Sequence, residues 1–220
     1  MYRKLDMLAA LGGLLYPLLA ISGILLVSVD LPPDFEAPPA DIARYVATHH
    51  AGAATAVGAA LEFTGLLMLM LFGHRLAAWL DADWASRATA ALAGLAVTVK
   101  IASFSPVIVA AWFAQGLTAD TQAALFRLND GFVPVSEAAV FAFVLLAGYL
   151  VLASGRLPGW LGWYAVLSAI LAIADLFAQT AILELPALLW VSITSVMLPH
   201  ATRGAPRSPQ GRAQRAATQS

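Results

Sequence analysis

From Leu8 to Leu198 the chain repeats one pattern, an apolar run of about twenty residues followed by a short polar or proline-bearing break. Runs of that length match the hydrocarbon thickness of a bilayer, which takes about 20 residues of helix. The pattern predicts helices at about 8–29, 51–72, 88–114, 131–153, 159–180 and 181–198, with the second extending through Leu80 into water. Only 11% of the residues are charged, less than half of the about 25% typical of proteins whose surface faces water. Mean hydropathy is +0.79. The expected fold is therefore all-α, an integral membrane six-helix bundle in a single domain over residues 1–200, with the lipid bilayer as its partner. The first run has 22 residues after Arg3 and Lys4, too long for the apolar region of a signal peptide and long enough to span.

Between the first and second runs lies DLPPDFEAPPA, then DIARYVATHH, which places Ile42, Tyr45, Val46 and His49 on one helical face. This predicts a short amphipathic helix on the membrane surface. Residues 115–130 read as a loop with a short helix over 120–128, and residues 201–220 as a disordered basic tail.

Six spans put both termini on one side. Arg3, Lys4, Arg75, Arg87, Arg156, Arg203, Arg207, Arg212 and Arg215 then share that side, against Arg44 and Arg127 on the other. Basic loops stay in the cytoplasm, so both termini are expected there. The twelfth base, Lys100, stands inside LAGLAVTVKIASFSPVIVAAW. Three acids lie in similar surroundings: Glu62, Glu137 and Asp175. At about 1.5 Å of rise per residue, all four fall between the midplane and the far third of the bilayer. Helical spacing adds Ser103 beside Lys100, and Tyr164, Ser168 and Gln179 on the face of Asp175. A charge facing hydrocarbon costs roughly 2.5–3.5 kcal/mol on insertion scales, so these residues are expected inside the bundle, with Lys100 paired to Glu62 or Glu137.

Three functions fit such a group. The first is a pocket for a small polar or cationic ligand, an ion or a proton, serving binding or transport. The second is a structural or accessory subunit, with a membrane-protein partner or a second copy, in which the charges only fix helix packing. The third is an intramembrane enzyme using carboxylate acid–base chemistry, the weakest reading because carboxylates alone specify no reaction.

Other chemistry has little sequence support. There is no cysteine, hence no disulfide or thiolate site, and no phosphate-binding glycine motif. His49 and His50 are adjacent and do not share a helix face, while His74 and His200 fall near the cytoplasmic surface. No metal, haem or other cofactor is implied, and no nucleic-acid module is present. Ser103 and Ser105 flank Phe104 before Pro106 and are expected to satisfy backbone freed by the proline. The tryptophans are expected mostly at the membrane interfaces.

The stretch GYLVLASGRLPGWLGWYAVLSAI, Gly148 to Ile170, resembles the junction of the fourth and fifth helices in the DUF4386-like family of bacterial membrane proteins. DIARYVATHHAG is similar to a region of actinobacterial multi-pass proteins. The resemblance implies a multi-pass protein of a bacterial cytoplasmic membrane, and it implies no activity, cofactor or catalytic residue. Alanine-rich, arginine-over-lysine usage fits a GC-rich bacterium.

Overall fold

A computed structural model describes residues 2–27, 33–49, 53–80, 84–178 and 185–204. Its helices are α1 (Tyr2–Val27), α2 (Pro39–His49), α3 (Ala53–Leu80), α4 (Trp84–Trp112), α5 (Ala119–Ser154), α6 (Gly159–Ala178) and α7 (Leu185–Gly204), with a 3-10 turn at Ala114–Gly116. No strand occurs among the described residues. Three helices, α3, α4 and α5, are long and apolar enough to cross a membrane; α1, α6 and α7 contain shorter apolar segments over the described residues. Each of these six turns a large apolar side chain outward, with Leu18, Leu67, Leu95, Leu145, Leu167 and Leu189 all exposed. Such surfaces are compatible with a membrane location and out of place in water.

Small residues set the helix spacing. A Cβ on Gly12 would strike the Met68 carbonyl of α3, and one on Gly23 would lie 2.5 Å from the Gly58 carbonyl oxygen. As α1 advances α3 recedes, so the pair is antiparallel, and glycine at the crossing lets the backbones meet. Between α3 and α4, Gly73 meets Ala93 and Phe63 meets Phe104, again antiparallel. Between α5 and α6, a Cβ on Gly148 would lie 2.6 Å from that of Ala165, and Gly162 meets Leu152. Gly13 meets Val191 while Ala10 meets Ser195, so α7 runs against α1. In sequence order α1, α3, α4, α5, α6 and α7 each pack on the next, and α7 closes on α1. One continuous apolar core draws on all six.

The ends of the bundle differ. At one end the turn after α5 stops the helix with Gly155 at φ 61°, a left-handed conformation that glycine adopts without strain. Arg156 then donates to the Trp79 carbonyl, placing a cation on the last turn of α3, where the helix dipole favours one. Arg75, Arg87 and exposed Trp84, Trp160 and Trp163 belong to this basic end.

The other end carries a cap. The apolar face of α2 packs on α4 and α5: Ile42 and Val46 are fully buried with Ala110, Ala111, Ala123 and Phe126. The apolar face of this helix, expected on the membrane surface, is occupied by protein. Arg127 donates to the carbonyls of Phe35 at 2.8 Å and Ala37 at 3.0 Å and ties the preceding loop to α5.

Residues 119–130, expected in a loop, belong to the continuous 36-residue α5. Thr118 caps it by accepting from the Thr121 amide at 3.2 Å. Gly131 and Pro134 both sit on its exposed side, and α5 runs continuous through them. Residues 201–204, expected in the tail, continue α7; residues 205–220 lie outside the described residues. Trp190 is also corrected: it is fully buried rather than interfacial, and its indole N–H donates to the Leu161 carbonyl at 2.9 Å.

Candidate functional site

Glu62 lies on the inward face of α3, in step with Gly58, Gly65 and Leu69, and is only 8% exposed. Gly23 of α1 presses on it: a Cβ there would come within 3.3 Å of the Glu62 Cβ. Lys100, half-buried on α4, is the cation that acts electrostatically on the Glu62 carboxylate. Its ammonium stands 5.7 Å from the centre of the Phe104 ring, within cation–π range. Phe104 is in turn held edge-on by Phe63, with centroids 5.2 Å apart and planes at 76°. The two phenyl rings were missed, although Phe104 sits four residues after Lys100, the spacing that brings side chains on one helix together.

Asp175 is 3% exposed on the buried face of α6 that includes Leu161, Ala165, Ser168 and Ala172. The inward turn expected for Ser168 and Asp175 is what the structure has. Ser168 is fully buried, and its hydroxyl has no hydrogen-bond partner among the described residues. Tyr164 is half-buried against the core. Gln179 lies outside the described residues, as do the side chains of His49, His50 and His200; His74 is exposed on α3.

Antiparallel packing fixes relative height. From the Gly148–Ala165 contact, eleven residues back along α5 lead to Glu137 and ten forward along α6 lead to Asp175, so these two acids stand level on neighbouring helices. Gln122 donates to the Ala114 carbonyl at 2.9 Å. Fourteen residues back from Ala114 is Lys100, and fifteen forward from Gln122 is Glu137, so these also stand level. Glu62 is level with Phe104, one turn from Lys100, a gap the lysine stem covers. The four ionisable residues thus form a belt across α3, α4, α5 and α6, spread over about two turns or roughly 10 Å of height.

Ser103 is drawn away from this belt. Buried at 1% exposure, it donates to the Lys100 carbonyl of its own helix at 2.7 Å. Pro106 frees the carbonyl of Ala102, not that of Lys100, so the expectation that Ser103 satisfies the proline-freed backbone is corrected. A second hydroxyl, overlooked in the sequence, does comparable work between helices. Ser195 of α7 accepts from the Leu14 amide at 3.1 Å and donates to the Ala10 carbonyl. Those two groups are the donor and acceptor of one rung of α1's own i→i−4 ladder.

No protein-family model matches the chain, and no curated protein or solved structure matches it significantly.

Proposed function

We propose that all six long helices cross a bacterial cytoplasmic membrane, with the basic end and both termini inside, and that the belt at Lys100 binds a small polar or cationic solute, an ion or a proton as part of a binding or transport activity. The alternation of the six helices and the outward leucines support the crossing, and the gathering of Arg75, Arg87 and Arg156 at one end supports the orientation. The DUF4386-like resemblance of residues 148–170 agrees with this placement and adds no activity to it.

The observation that carries the functional reading is the belt: three acids and one base within about two turns of height on four consecutive helices, with Glu62 and Asp175 buried. Ionisable groups at membrane depth are by default marks of a functional site. A second reading, a structural or accessory subunit, is favoured by Ser103 and Ser195, whose hydroxyls serve helix backbone.

Reconstituted in liposomes, the wild-type chain is expected to carry proton flux or cation uptake that Glu62→Gln and Asp175→Asn lower at least about tenfold. Wild-type flux in folded variants removes the belt from any mechanism and leaves the structural reading. The absence of cysteine makes the crossing testable: Gln115→Cys and Arg87→Cys are expected to react with an impermeant thiol reagent from opposite faces, and labelling from one face refutes the six-span arrangement.

A further inference from the structure

The Lys100 ammonium occupies a position built for a cation. Its Nζ is 5.7 Å from the Phe104 ring centre, and Phe63 props that ring edge-on at 5.2 Å. Glu62, buried beneath Gly23 of α1, is a carboxylate within electrostatic reach of that ammonium. An aromatic face and a carboxylate in a water-poor setting are the elements by which proteins bind organic ammonium groups. They suit inorganic cations poorly: a hard metal ion takes six or more oxygen ligands, and one carboxylate beside two phenyl rings does not supply them. The cation now at this position is tethered, because it arrives on the four-carbon stem of a residue of α4. A second acid stands at a similar height on a helix packed against α4: Glu137 is level with Lys100 on α5, while Glu62 lies one turn away on α3. A lysine side chain is flexible enough to serve either.

Taking the belt as a ligand site, as read above, we infer that Glu62 and Phe104 form a recognition site for a primary alkylammonium ligand, that Lys100 fills it as an intramolecular stand-in, and that ligand entry moves the lysine toward Glu137. The stand-in lowers apparent affinity by the fraction of molecules in which it is seated. It also keeps the Glu62 carboxylate from being a lone buried charge when no ligand is bound.

The probe is n-butylammonium, which reproduces the lysine side chain, titrated calorimetrically into the full chain in detergent against sodium chloride of equal ionic strength. Wild type is expected to bind it saturably, and Lys100→Met to bind it about tenfold more tightly or better. Glu62→Gln should abolish binding in both backgrounds. Glu137→Gln should weaken binding to wild type, where the lysine needs a second partner, and leave the Lys100→Met affinity unchanged. Equal affinity of wild type and Lys100→Met overturns the stand-in, and retained binding by Glu62→Gln overturns the site. An equal effect of Glu137→Gln in both backgrounds overturns the lysine's movement. Should Lys100→Met not fold, Phe104→Leu in the wild-type background decides: about fivefold weaker binding supports the site, and unchanged binding refutes it. Flux that depends on Glu62 with no alkylammonium binding by any variant discards the ammonium assignment and keeps the belt as an ion route. Independence from Glu62 in both assays discards both.

Discussion

The Ser195 hydroxyl makes a prediction sensitive to the difference between losing a bond and crowding the contact around it. It contacts both the Leu14 amide and the Ala10 carbonyl, which are ladder partners within α1. Ser195→Ala withdraws the hydroxyl and leaves the rung its own i→i−4 partner. The cost is then that of an interhelical side-chain bond in a membrane protein, about 0.6 kcal/mol on average and about 1.7 at most. Ser195→Val removes the same hydroxyl and adds a second γ-carbon where the helices meet. Overpacking costs roughly 1–3 kcal/mol, so with the lost bond the total is about 2–4 kcal/mol. For a chain of this size 1 kcal/mol moves the melting temperature by about 2–4 °C. The alanine variant should therefore lose only a few degrees and the valine variant about 4 °C at the least, with more than 10 °C within reach. Thermal unfolding in a mild detergent, followed by tryptophan fluorescence and by loss of the monodisperse chromatographic peak, reads both. Equal melting temperatures for the two variants would refute the tight bridging contact, as would an alanine variant less stable than the valine one.

Two further perturbations test the frame around the belt. Gly12→Leu places a side chain against the Met68 carbonyl and Phe72, while Gly94 has nothing within 4 Å of a built Cβ. The first should destabilise by at least the roughly 1–3 kcal/mol of ordinary overpacking, and Gly94→Ala should be neutral or stabilise by up to about 1 kcal/mol, both read as melting temperatures. Arg127→Ala removes both bonds to the 35–37 loop and should raise proteolytic cleavage there severalfold without lowering the melting temperature of the six-helix core; an unchanged cleavage rate would show that the α2 packing alone holds the loop.

Helix number and position were legible because hydrophobic run length and polar breaks are local properties. The inward turn of Glu62, Ser168 and Asp175 was legible too, since helical spacing aligns them with small and apolar neighbours. The extent of α5 was not. Asn129 and Asp130 before Gly131 read locally as a break, yet a helix tolerates poor formers when its start is held, here by the Thr118 cap and the packing of Phe126 under α2. The fate of Trp190 was hidden for a related reason: tryptophan seeks an interface because its N–H needs a partner, and the Leu161 carbonyl supplies one inside the core. The level of the belt depends on the register between helices, which contacts such as Gly148 with Ala165 determine and no single segment encodes.

The packing of α7 against α1 also sets an order of events in biosynthesis. Of these two helices, α1 leaves the ribosome first and keeps one lateral edge open until α7 follows. During that interval α1 rests mainly on α3, and the Leu14–Ala10 rung lacks the hydroxyl that will join it to α7. Closure must await synthesis of α7, so a product truncated before residue 185 has its gap at a defined place, along the α1 and α6 edges, and that gap is where membrane quality control would meet an unfinished molecule.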